Sequence, residues 1–103
     1  MIFRSMLQPI KFVGIELENR VVRSATYVAR CDTNGIPKQS LLDFYASLSA
    51  GHPGLLIMEH AYVIKQGQAA ADQLAIDRDE MTAHHRKLLD VIKAANPKTK
   101  NCC

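Results

Sequence analysis

The sequence predicts an α/β fold whose strands run parallel. Three stretches carry that expectation. Val21 to Thr26 reads as extended chain, with two β-branched residues leading into the small cluster Ser24-Ala25-Thr26. Behind Pro37, Leu41, Phe44, Tyr45 and Leu48 recur at i, i+3, i+4 and i+7, the stripe of an amphipathic helix. Gly54 then introduces Leu55-Leu56-Ile57-Met58, a short continuous apolar run of the kind a strand buried on both faces shows. Strand, helix and strand in that order form a βαβ unit, and such a crossover joins parallel strands.

Taken in order, Pro9 to Arg20 read as a β-hairpin. Ile10, Phe12, Ile15 and Leu17 alternate in part around Gly14. The first parallel strand, Val21 to Thr26, follows. Residues 29–37 are a loop, because Asp32, Asn34, Gly35 and Pro37 all favour turns. Pro37 is expected to open the first helix, where its missing N–H costs nothing. Gly51 falls where a helix C′ glycine belongs. Residues 54–60 form the second strand. Val63 to Asp77 is a long loop rich in Gln, Ala and Gly, and its length is that of a functional loop. Asp77 and Glu80 have capping-box spacing ahead of a second helix. Met81, His85, Leu88 and Ile92 make that helix's buried stripe, flanked by Leu89 and Ala95, and Pro97 ends it. Lys98 to Cys103 carries no apolar run.

At 103 residues the chain is at most one small domain. Residues 1–97 hold every expected element. The polar tail, residues 98–103, is expected to be disordered or frameshifted. The content of 48% hydrophobic and 22% charged residues belongs to a globular chain and not a disordered one. The net charge of +3 is dispersed, and with no Trp and six aromatic residues the chain lacks a nucleic-acid footprint. No apolar run is long enough to span a bilayer, and MIFRSMLQPIKF lacks the apolar core of a signal peptide. The three cysteines, Cys31, Cys102 and Cys103, do not form a disulfide framework, which makes a reducing, cytoplasmic setting the expectation. His84 and His85 are adjacent on a helix, about 100° apart, and cannot face one metal ion together. The sequence offers no metal site. Arg23 lies within a strand and needs a partner if buried. Glu59, at the end of the second strand, is one candidate; as a carboxylate there it suits either catalysis or, more often, orienting a loop by hydrogen bonding.

The pattern PIKFVGIELENRVVRSATY, then DTNGIP, then LLDFYASLSAGHPGLLIMEHAYV, then QLAIDRDE resembles the start of the Old Yellow Enzyme family. These are FMN-dependent NAD(P)H:flavin oxidoreductases and ene-reductases. The RSATY variant is similar to the NADH:flavin oxidoreductase and NADH oxidase-like branch. The resemblance covers Gln8 to Ala95. It implies an incomplete (β/α)8 TIM barrel, comprising the N-terminal hairpin and the first two βα units. It also implies FMN as cofactor and NAD(P)H as reductant. Ser24, Ala25 and Thr26 are then the flavin-facing positions after the first strand. Tyr27 stands where some relatives carry a cysteine that tunes the flavin. His60 occupies the position beside the flavin where relatives usually have Ala or Gly, and its imidazole either crowds the ring or bonds a polar edge. His52-Pro53 and Gln68 also depart from the family pattern.

The same resemblance places the flavin-contacting Gln, the substrate-binding His pair, the Tyr proton donor and the phosphate loops beyond residue 103. A barrel of this kind takes roughly 200 residues or more. No catalytic residue is assigned here, and the chain is expected to be inactive alone. The alternative is a non-enzymatic truncated product, or a subunit that assembles with a separately encoded remainder of the barrel. Two parallel strands leave unpaired edges, so self-association is expected.

Overall fold

The computed structural model describes residues 2–102 of the chain. A short helix, α1 (Ile2–Met6), precedes a hairpin of β1 (Ile10–Phe12) and β2 (Ile15–Leu17). The hairpin is antiparallel, with Ile10 opposite Leu17 and Phe12 opposite Ile15. Its two-residue turn puts both Val13 (φ 51°) and Gly14 (φ 79°) in the left-handed region, as the hairpin twist requires. The helix α1 was not expected. The Arg20 amide donates to the Met6 carbonyl at 2.8 Å and ties that helix to the end of the hairpin.

The first parallel strand, β3, is only Val22–Arg23, shorter than the expected Val21 to Thr26. Local hydrogen bonding ends it, because the Thr26 hydroxyl turns back onto the Ser24 carbonyl at 3.1 Å. The loop over residues 29–37 is organised by Asp32. Its Oδ1 accepts from the amides of Asn34 (2.8 Å) and Ile36 (3.0 Å). Pro37 belongs to this loop, bridging to Cys31, and does not open the helix. The helix α2 runs from Gln39 to Ala50 with Lys38 at its N-cap. At its end Gly51 stays right-handed (φ −76°), and His52 takes the left-handed position (φ 59°). The expected role of Gly51 therefore falls to a residue with a side chain.

Strand β4 (Leu55–Ile57) pairs in parallel with β3, Val22 opposite Leu55. It is shorter than the expected 54–60, since the chain turns after Ile57 and starts β5 (Ala61–Tyr62). The long loop is more structured than the sequence implies. It holds a 3₁₀ turn, Lys65–Gly67, and β6 (Leu74–Ala75), which returns parallel to β5. The helix α3 spans Met81–Ala95. No capping box forms at its start. Glu80 is the N-cap residue without a side-chain cap, and the Arg78 guanidinium bonds both Asp77 and Glu80.

The tail corrects the sequence reading most clearly. Lys100–Cys102 forms β7, parallel to β4 with Leu55 opposite Lys100. The order β3-β4-β7 is a three-stranded parallel sheet. A strand with no apolar run forms here because β4 offers a free edge and Thr99 anchors the approach. Thr99 is buried, and its amide donates to the Asn96 carbonyl at 3.2 Å. Cys103 lies outside the described residues.

Helices α2 and α3 pack on one face of the sheet. Leu41, Leu42, Tyr45, Leu56, Met58, Leu88 and Ile92 form the core between them. Ser49 is small enough to let the helices meet, and its hydroxyl donates to the Ile92 carbonyl at 2.6 Å. On the opposite face Val22, Leu55 and Ile57 line an apolar cleft of about 360 Å³ with Ile10, Phe12 and Leu17 of the hairpin. Among the described residues no helix is long and apolar enough to cross a membrane.

Candidate functional site

The C-terminal end of a parallel sheet is where βα folds expose backbone to ligands. Here that end is built from the segment after β3 and the segment after β4. Ser24, Ala25 and Thr26 are all exposed, and none carries a side chain larger than threonine. Ala25 lines a cleft of about 400 Å³ together with Ile57, Glu59, His60, Leu74 and His85.

His60 is exposed at the same end. Its ring packs against Tyr27, with centroids 5.5 Å apart and planes tilted by 41°. The Tyr27 hydroxyl in turn donates to Asp72 Oδ1, in the loop that leads to β6. Tyr27, His60 and Asp72 form one border of the site from three separate segments. Asp72 carried no signal in the sequence, because its role depends on the long loop folding back.

Arg23 and Glu59 sit beneath these residues. The sequence pairs them, but the structure does not join them in an ion pair among the described residues. Arg23 is half-buried. Its Nη1 donates to the Ile57 carbonyl at 3.0 Å and its Nη2 to the Thr26 carbonyl at 3.3 Å. The guanidinium lies 5.8 Å from the Phe44 ring centroid and 5.7 Å from that of Tyr45.

Glu59 is 4% exposed. The Tyr45 hydroxyl donates to its Oε1 at 3.1 Å, and its own amide donates to that hydroxyl at 3.0 Å. Among the described residues its Oε2 has no hydrogen-bond partner. Burial raises the Glu59 carboxyl above the ordinary range, against the opposing pull of the Tyr45 bond, the Val28 amide and the Arg23 charge. Burial also pushes the Tyr45 hydroxyl up to about 12. The Cys31 thiol rises to about 12 for the same reason, with the Glu59 charge adding to it.

His85 Nε2 lies 2.8 Å from the Ala75 carbonyl, while its buried Nδ1 has no partner among the described residues. Its contact holds α3 to β6. Among the described residues no group of three or more His, Cys, Asp or Glu could hold a metal ion.

This arrangement offers a cleft with small residues at its mouth, two rings beside it, and a half-buried cation and a buried acid nearby. A planar group can approach the backbone at such small residues.

The sequence model of the NADH:flavin oxidoreductase / NADH oxidase family matches residues 5–99 of this chain. Over 85 residues the chain is 35% identical to an NADH:acrylate oxidoreductase of Vibrio harveyi, covering 82% of this chain and 8% of that protein. It is 29% identical over 89 residues to an NADPH dehydrogenase of a Geobacillus strain, covering 85% of this chain and 26% of that protein. The chain therefore spans about a quarter or less of these curated relatives. Among solved structures, the Old Yellow Enzyme of a Pichia species aligns over 94% of this chain and 25% of its own, with a TM-score of 0.81 and 24% identity. A 2-naphthoyl-CoA reductase aligns over 96% of this chain and 15% of its own, with a TM-score of 0.87 and 21% identity. That likeness shows the fold, the hairpin and opening βα units of a (β/α)8 barrel, and the described strands do not close into one.

Proposed function

The chain belongs to the NADH:flavin oxidoreductase / NADH oxidase family, and from that premise we propose that it supplies one wall of the FMN site of an NAD(P)H-dependent flavin oxidoreductase. The observation that carries this reading is the exposed run Ser24-Ala25-Thr26 at the C-terminal end of β3, with no bulky side chain over it. These residues fit a flavin, because a flat ring system approaches backbone closely only where side chains are small. FMN, when bound, carries the hydride between nicotinamide and acceptor. The chain's own residues bind and orient. Ser24, Ala25 and Thr26 face the ring, His60 and Tyr27 border it, and Glu59 is buried behind the wall. The phosphate contacts that give a ligand much of its orientation come, by resemblance, from the loops after strands seven and eight.

The test is a chimera in which residues 5–99 of this chain replace the matching segment of the Geobacillus NADPH dehydrogenase. A folded chimera is expected to purify with FMN, and Ala25→Trp in it is expected to lose the flavin by filling the wall. A folded but colourless chimera, or an Ala25→Trp variant that keeps its FMN, would contradict the reading.

A second reading has its own observation. The apolar cleft between the sheet and the hairpin, and the two edges β3 and β7, are features of a surface built to receive further strands. A subunit that assembles with a separately supplied remainder of a barrel would present this surface.

A further inference from the structure

We propose that Arg23 is the positioning residue of this site, its guanidinium fork fixing the spacing between the Ser24–Thr26 segment and the end of β4. This rests on the flavin reading above, since those are the two segments that reading places against the ring. The two carbonyls that Arg23 holds belong to different segments. Ile57 ends β4, and Thr26 lies three residues past the end of β3. Neither segment is otherwise long enough in regular structure to fix the other. Strand β3 has two residues, and the ladder it shares with β4 stops at Arg23 opposite Leu56. Beyond that pair the Arg23 fork bonds one carbonyl of each segment, and further out the Tyr27 and His60 rings meet.

The side chain is itself held. Its guanidinium carbon lies 5.8 Å and 5.7 Å from the ring centroids of Phe44 and Tyr45 of α2, which limits the directions in which the fork can point. Planarity matters here. A guanidinium can donate to two carbonyls through its fixed fork beside aromatic rings, and a lysine ammonium presents a point charge on a flexible stem. The position of the Thr26 carbonyl also sets the peptide that leads into Tyr27, whose ring rests on His60. One side chain thereby places the floor of the wall and, through the next residue, its border.

The experiment uses the full chain, labelled for amide NMR, as wild type, Arg23→Lys and Arg23→Met, with and without FMN. The Thr26 carbonyl shares its peptide with the Tyr27 amide, and the Ile57 carbonyl with the Met58 amide, so these two amides report the fork directly. Both variants are expected to displace the Tyr27 and Met58 resonances while those of Leu88 and Ile92 in α3 stay in place. FMN affinity is expected to fall at least tenfold in both. Lysine keeps the charge and the stem, so recovery of the wild-type amide positions and FMN affinity by Arg23→Lys would overturn the assignment. Unchanged Tyr27 and Met58 amides in a folded Arg23→Met would overturn it as well. Should Arg23→Met fail to fold, Arg23→Lys decides alone by the same amides. A wild-type chain whose amides ignore FMN would count against the flavin reading, and the variant spectra without FMN would still decide whether Arg23 sets the spacing.

Discussion

Burying Glu59 against Tyr45 gives this chain a pH dependence opposite in sense to that of most paired carboxylates. The folded state raises the Glu59 carboxyl above its ordinary value. Its stabilising contribution is therefore complete below the unfolded value and is lost as pH rises through the folded one. Glu18 acts in the other direction. The Asn96 side-chain bond (3.0 Å) holds its carboxyl down, so its contribution is present above the unfolded value and is lost as pH falls. Glu59→Gln is expected to remove the loss of stability on the alkaline side of the carboxylate range and leave the acid-side loss intact. Urea unfolding followed across that range checks this. A variant with the wild-type slope would contradict it. Tyr45→Phe leaves the buried Glu59 Oε1 and amide without their shared partner, at an expected cost of about 1–3 kcal/mol in the same measurement. The sequence marked Arg23 as needing a partner if buried and offered Glu59 for it, and each is bonded, though not to the other. It paired them with each other because they lie on adjacent strands. It could not show that a tyrosine from α2 and two main-chain carbonyls would satisfy them first.

At the scale of elements, glycine and its absence decide two junctions. Gly35 has φ +76°, and a Cβ there would lie 2.3 Å from Ala75 Cβ and 2.8 Å from the Tyr62 hydroxyl. Gly35→Ala is expected to destabilise by at least about 2 kcal/mol, from left-handed strain plus overpacking. At the end of α2 the left-handed residue is His52, so His52→Gly is expected to stabilise by about 0.5–1 kcal/mol through relief of that strain. Thermal unfolding of both variants checks the opposite signs. The hairpin, the two helices and β4 were legible because periodicity and turn residues agree over each of them. Strands β6 and β7 were not. Leu74-Ala75 is too short for a period, and Lys100-Asn101-Cys102 is polar. Each forms because an existing strand, β5 or β4, offers hydrogen bonds along its edge. Cap geometry was also lost to the sequence. Asp77 and Glu80 have the right spacing, but Arg78 between them takes both carboxylates.

The whole molecule is open rather than closed. Its radius of gyration is 14.7 Å, against about 13 Å for a compact chain of 100 residues. Phe12 is 56% exposed and Val22 48% exposed on the cleft side of the sheet. Strands β3 and β7 are both sheet edges. The chain is expected to self-associate through this surface, and Val22→Lys to shift it toward the monomer, as sedimentation would show. A wild-type chain that stays monomeric at every concentration would contradict that expectation.

The claim on which the rest depends is that Ser24, Ala25, Thr26 and His60 face a flavin. Titrating FMN into the isotopically labelled chain and following its amides tests it most directly. The account predicts weak binding, with changes confined to the amides of Ser24 to Tyr27 and Glu59 to Ala61 and none in α3 beyond His85. Changes centred on another surface, or none at these amides at saturating FMN, would contradict it.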